Sequence, residues 1–307
     1  MKKNLLTAFG FLAALASAAQ DCSDLIISEY VEGTNNNKAI ELYNASSQPI
    51  NLGTTSNPIY AMGRERNGNA IPMLLPITGI IEPYQTKVFV LDKTDPNAIG
   101  VDIAVFPELL AVADTLVNPD YVESNSPFYF NGDDAFYLVK NNSVLIDMIG
   151  KTGEDPGGGW AVPGDPNTRW WTEDNTLIRK QSVLRGVSVS PSVFDPSLEW
   201  DSLQVNTFTN LGFHLCDCES SNVKDRNPKS SFEVFPNPFQ GGSLVLKSAA
   251  KMVAFTLVNA NGQVVREREF INSNYQTIEL PEVAPGMYMI LMEFEDGSRN
   301  YQKLMYK

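Results

Sequence analysis

The chain has 307 residues, with 36 acidic side chains against 23 basic ones, a formal charge of −13, one histidine and three cysteines. An acidic chain repels phosphate backbones, and no run of Lys and Arg supplies a local basic patch, so nucleic acid does not fit as its partner. A hydrophobic content of 43% excludes wholesale disorder, and the length suits roughly two domains of about 150 residues each.

At the N-terminus, Met1-Lys2-Lys3 is a positive segment before an apolar stretch from Leu5 to Leu15, and Ala16-Ser17-Ala18 or Ser17-Ala18-Ala19 reads as a small-residue cleavage site. Residues 1–19 are therefore expected to be a signal peptide. Its removal takes Lys2 and Lys3 away and leaves a charge of −15. Lipid anchoring through Cys22 is disfavoured by Asp21, where a lipidation signal carries Gly or Ala. No later stretch reaches the roughly 20 apolar residues of a transmembrane helix.

From there the chain reads as strands. Leu25–Val31 is rich in β-branched and aromatic residues and is followed by a turn cluster at Gly33–Asn37; Ala39–Tyr43 and Lys87–Leu91 follow. Helical periodicity is expected only over Glu108–Leu116. Ala135–Lys140 and Val144–Ile149 flank Asn141-Asn142, which suits a tight hairpin. Short strands punctuated by Gly, Pro and Asn predict a β-sandwich. The polar stretch Glu219–Ser231 reads as a linker. Beyond it, Ala260-Asn261-Gly262 and Asp296-Gly297 mark two hairpins of a smaller β unit. The expected division is 1–19, 20–218, 219–231 and 232–307.

Three cysteines frame the central unit. In an oxidising compartment a bridge from Cys22 to either Cys216 or Cys218 would tie its two ends together, and Cys216-Asp217-Cys218 lacks the spacing and second ligand pair of a zinc site.

The C-terminal unit opens with Val234-Phe235-Pro236-Asn237-Pro238-Phe239, continues with Val258 to Val265 with Gly262, and closes on Leu280 to Tyr288 with Gly286. On these residues it resembles the sorting domain of the type IX secretion system of Bacteroidetes. It implies recognition by the type IX machinery and a chain that is secreted or attached at the outer-membrane surface. In the central unit, Ile27 to Gly33, Asn36 to Asn44, Phe130 to Ala135, Ile146 to Gly150, Thr176 to Arg179, Trp200 and Leu211 to His214 follow in an order that resembles the lamin-tail domain in its bacterial form. This implies an immunoglobulin-like sandwich of a kind that often accompanies secreted nucleases and other extracellular enzymes. Thr54–Pro83 and Asp92–Ser126 match no part of that pattern.

The best candidate site is polar: Glu29, Glu32, Asn37, Lys38, Glu41, Asp133 and Asp134, with Asp147, fall at strand ends and turns. Such oxygens could coordinate calcium, which takes 6–8 of them. Equally, Lys38 can pair with a neighbouring carboxylate, and Asn and Asp form turns. Trp160, Trp170 and Trp171 could contact a sugar or protein, or cover the end of the sandwich. His214 is the sole histidine, which excludes a zinc site of several imidazoles, and no nucleophile–base pattern surrounds it. An exported binding or adhesion module of unknown ligand is the reading favoured here. The alternative is a carboxylate-based or calcium-assisted extracellular hydrolase, or an accessory to a secreted nuclease.

Overall fold

A computed structural model describes residues 22–69, 73–117, 126–165, 170–218, 231–240, 242–259, 263–280, 283–296 and 299–307. The expected signal peptide, residues 219–230 of the expected linker, and Gly262 lie outside the described residues.

The chain opens with β1 (Leu25–Glu32) and β2 (Lys38–Asn44), paired antiparallel with a bulge between Ile27 and Glu29. Their connection needs a close backbone approach at Gly33, whose N–H donates to the Asn37 carbonyl at 2.9 Å; a Cβ there would lie 2.8 Å from that oxygen. Next come β3 (Ile50–Thr54), β4 (Asn57–Pro58), β5 (Tyr60–Glu65), β6 (Met73–Ile77), β7 (Gly79–Ile81) and β8 (Thr86–Leu91). A long excursion holds a single helical turn, α1 (Pro107–Leu110), and then β9 (Thr115–Val117). The hairpin β10 (Ala135–Lys140) and β11 (Val144–Ile149) turns at Asn141 and Asn142, both at positive φ as expected. β12 (Asn175–Arg179), α2 (Pro196–Glu199) and β13 (Trp200–Gln204) complete the central unit.

Two sheets face each other, one ordered β13-β12-β1-β2-β8-β9 and one β11-β10-β5-β6, and β4-β3-β7 forms a small third. One core cluster draws on both faces: Ile27, Tyr30, Ile40, Phe89, Leu177 and Trp200 from the first sheet, and Tyr60, Met62, Phe136, Leu138 and Ile149 from the second. The all-β sandwich expected from the strand pattern is what the chain adopts. The outer faces are also covered. Ile26 and Tyr43 lie beneath Cys216 and Cys218, while Ala135, Tyr137 and Met148 pack with Val187. All eight residues of β1 and all seven of β2 are consequently buried.

One element differs from expectation. The helix extends over only Pro107–Leu110, because Thr115–Val117 peels away to pair in parallel with Phe89–Leu91, and the Asp114 carboxylate accepts from the Val88 N–H at 2.8 Å. The alternating apolar residues there serve a turn and an edge strand.

The C-terminal unit consists of β14 (Phe232–Phe235), β15 (Ser243–Asn259), β16 (Val264–Glu279), β17 (Gly286–Phe294) and β18 (Arg299–Tyr306). β15 is the spine, pairing with β14, β16 and β17. A separate core of Phe232, Phe239, Leu244, Leu246, Phe255, Ile290 and Phe294 supports it.

Candidate functional site

The seven polar candidates do not assemble into one site. Glu29 and Glu41 face each other in register on β1 and β2, with exposures of 1% and 0%. The Glu41 carboxylate accepts from the Ser28 hydroxyl at 2.7 Å and from the Gly212 N–H at 2.6 Å, in the segment that covers this face of the sheet. Glu29 Oε1 has no hydrogen-bond partner. Burial pushes Glu29 well above the carboxylate range, and the neighbouring Glu41 adds to this. Burial likewise raises Glu41 to about 8 against the opposing effect of its two donors. A carboxyl pair sealed in this way is a structural feature of the sheet and is not open to substrate.

Glu32 and Lys38 pair in register where the same two strands meet their connecting turn and form an ion pair, and Glu32 also accepts from the Asp174 N–H. Lys38 donates in addition to the Gly33 carbonyl at 2.7 Å. Burial still lifts Glu32 above its ordinary value, with Lys38 opposing. Asn37 is a positioning residue: its Nδ2 donates to Thr34 O at 2.7 Å and its Oδ1 accepts from the Phe106 N–H at 2.7 Å.

Asp133 and Asp134 lie at the end of the second sheet. Asp134 is held by Arg64 at 2.9 Å and by the Asn67 N–H at 2.9 Å. Asp133 accepts from Asn67 Nδ2 at 3.1 Å, and the Asn131 amide reaches both carboxylates once its nitrogen is turned toward them. Burial, then Asp134 and Asp155, raise Asp133 to about 6. Asp147 is a structural centre, accepting from the backbone N–H groups of Ile27, Met148 and Val187 at 2.8 Å each and from Arg179.

Calcium does not fit this arrangement. Among the described residues no group of three or more His, Cys, Asp and Glu is placed to hold a metal ion. Glu32, Glu41, Asp134 and Asp147 already accept from internal donors. His214 is buried, its ring edge-on to Tyr43 at 5.0 Å, and burial drives it down to about 3, so it is a neutral packing group at neutral pH.

The aromatic candidates divide. Trp160 is 4% exposed and packs edge-on against Phe194 at 5.6 Å, so it closes the sandwich. Trp171 is half-buried against the core, and Trp170 is half-buried with its backbone bridged to Ala161. Of the cysteine alternatives, Cys22 pairs with Cys218, and Cys216 remains a buried thiol.

In the C-terminal unit, Pro236, Asn237 and Pro238 are exposed beside β18. Neither proline has an N–H to donate. The Asn237 side chain supplies the pairing, donating to Lys303 O at 2.6 Å and accepting from the Met305 N–H at 2.9 Å. Gly286 opens β17, and the Tyr288 hydroxyl donates to Ala284 O at 2.5 Å.

The sequence did not single out the loop between β8 and α1. Ile99 is 84% exposed and Val101 60% exposed. Their loop is nonetheless fixed: Asn36 Nδ2 donates to the carbonyls of Val101 at 2.9 Å and Ile103 at 2.7 Å, and Lys93 pairs with Asp102 at 2.7 Å. The only sequence signal was the pair of apolar residues themselves, in a segment with no periodicity.

Two family models match parts of the chain. Residues 18–153 match the family described as Lamin Tail Domain, and residues 233–307 match the Secretion system C-terminal sorting domain. The structure extends the first unit past the matched range, since β12 inserts between β1 and β13. The sorting domain indicates export, by the type IX machinery, to the cell surface or beyond. No helix among the described residues is long and apolar enough to cross a membrane. No curated protein sequence matches. Similar solved structures include the PKD1 domain of Vibrio anguillarum Epp, at 13% identity over 27% of this chain and 98% of that one, TM-score 0.16. Dimeric latent PorU from Porphyromonas gingivalis is another, at 10% identity over 91% of this chain and 32% of that one, TM-score 0.18.

Proposed function

We propose that the central unit is a non-catalytic binding or adhesion module of the cell surface or extracellular space, delivered there by its C-terminal sorting domain. The observation that carries this reading is the loop presenting Ile99 and Val101. Apolar side chains held outward on a backbone tied by Asn36, Asn37 and the Lys93–Asp102 pair form a preorganised contact surface, which lowers the ordering cost of binding. The partner it suits is an extracellular protein or polymer with an apolar face. The hydrolase alternative draws less support: the facing carboxyl pair, Glu29 and Glu41, is buried beneath Gly212, and the histidine is neutral and enclosed.

Co-sedimentation of the full-length protein with outer-membrane vesicles and with extracted surface polysaccharide of the producing cells tests this reading. An Ile99→Asp, Val101→Asp double variant is expected to fold normally and to bind about tenfold or more weakly. Equal binding by variant and wild type, or turnover of a polysaccharide by the wild type, would sink it.

A further inference from the structure

The three cysteines converge in one cluster with Ile26, Tyr43 and Ala45. The bridge from Cys22 to Cys218 spans a sequence separation of 196. Cys216 is a thiol outside that bridge, yet it lies against it: the Cys218 N–H points to Cys216 Sγ at 3.4 Å, and Cys216 Sγ lies 3.6 Å from the Val183 carbonyl. The Asp217 N–H, between the two cysteines, donates to Gln181 O at 2.9 Å and pins the segment down. At 4% exposure, Cys216 is closed to solution oxidants and thiols once the domain has folded. Any chemistry it performs belongs before that closure.

We propose that Cys216 is an internal relay through which the long-range bridge forms. Cys216 and Cys218 are two residues apart, whereas Cys22 must find its partner across a separation of 196. Loop closure weakens as about the −3/2 power of length, so the local pair meets roughly a hundredfold or more often, even allowing for the stiffness of so short a ring. On export to an oxidising space, an external disulfide, either a small-molecule disulfide or a thiol oxidase, oxidises the two neighbours. Their thiols give up two protons and two electrons, the external disulfide is reduced to two thiols, and the Cys216–Cys218 bond forms. A bridge across one intervening residue is strained and readily reduced. When folding brings the start of β1 beside the 216–218 segment, the Cys22 thiolate attacks Cys218 Sγ. The Cys22–Cys218 bond forms, the Cys216–Cys218 bond breaks, and Cys216 leaves as a thiolate that takes up a proton. This second step uses no oxidant. Its product is the arrangement in the structure, and burial of Cys216 keeps external disulfides from reoxidising it.

The test is oxidative refolding of the full-length protein, reduced and unfolded, in a glutathione buffer, with acid quenching, alkylation and peptide mass mapping over time. A Cys216–Cys218 peptide is expected first, declining as Cys22–Cys218 rises. Cys216→Ala is expected to reach the same bridge about tenfold or more slowly, with an unchanged final unfolding midpoint. Cys22→Ser is expected to accumulate the Cys216–Cys218 bridge, which keeps the proposal testable even if Cys216→Ala refolds poorly. Formation of Cys22–Cys218 at the same rate in Cys216→Ala as in wild type, or full alkylation of Cys216 and Cys218 in Cys22→Ser, overturns it.

Discussion

Arg179 and Asp147 meet through two contacts, Nη2 to Oδ1 at 3.2 Å and Nη1 to Oδ2 at 3.3 Å, with both side chains at 0% exposure. The arginine comes from β12 in one sheet and the aspartate from β11 in the other, so the pair joins the two layers of the sandwich. The Arg179 guanidinium lies 4.5 Å from the Trp200 ring and reaches Glu199 at 2.8 Å. Removing one partner would leave a buried charge and, in the case of Asp147, backbone donors on Ile27 and Val187 without their acceptor. Asp147→Ala is therefore expected to destabilise the central unit by about 3–5 kcal/mol, read from urea unfolding. A change below about 1 kcal/mol would show that the pair does not hold the layers together.

The facing carboxyls Glu29 and Glu41 predict a pH dependence of the opposite sign to ordinary surface acids. Both are raised in the folded state, Glu41 to about 8, above the unfolded value near 4.5. Between those values the folded protein binds more protons than the unfolded chain. For Glu41 the stability this contributes is complete below about pH 4.5 and is lost as pH rises toward 8, by up to about 1.4 kcal/mol per pH unit, and Glu29 acts in the same direction. Glu41→Gln keeps an acceptor for the Gly212 N–H, and the Ser28 hydroxyl can turn to accept from the new amide. Denaturation midpoints between pH 5 and 9 should fall less steeply in this variant than in wild type. Parallel curves would place the ionised form in the native state.

The fold was legible where the apolar pattern is strong and illegible where polar residues are buried against partners distant in sequence. β1, β2, β8, β10 and β11 fall within a residue of the segments read from sequence. β5 went unread because Tyr-Ala-Met-Gly-Arg-Glu shows neither alternation nor turn signals. All six residues are nevertheless buried, Arg64 by its pairing with Asp134 and Glu65 by hydrogen bonds from Tyr137 and Gly153. Polar residues can occupy such positions only when partners distant in sequence satisfy them, and the sequence does not show the partners. The same limit applied to the candidate site. Glu, Asp and Asn at strand ends look alike as metal ligands and as structural acceptors, and donors such as Gly212 and Asn67 decide between the two.

Calcium addition supplies a direct check on that decision. Because Glu32, Glu41, Asp134 and Asp147 are engaged by internal donors, millimolar calcium and EDTA are both expected to leave the thermal midpoint unchanged. A ligand bound by the native state alone must raise the midpoint. A calcium-dependent rise reversed by EDTA would therefore contradict the structural assignment of these carboxylates.

Asn237 gives the sharpest test of the sorting unit. The two prolines flanking it remove backbone donors, and its amide restores the pairing with β18 through Lys303 O and the Met305 N–H. Phe239 then resumes backbone contact, its N–H donating to Met305 O at 2.8 Å and its carbonyl accepting from the Lys307 N–H at 3.0 Å. Asn237→Ala removes two exposed hydrogen bonds, a loss of about 1–2 kcal/mol. Asn237→Asp keeps the acceptor for Met305 but places a carboxylate against the Lys303 carbonyl, and should be at least as damaging. If the sorting unit is read as a folded surface, export of both variants should fall in proportion to the loss of its stability, measured by secretion assay alongside unfolding of the purified protein. Export lost in full from a variant with wild-type stability would instead mean that the Asn237 side chain is itself contacted by the machinery.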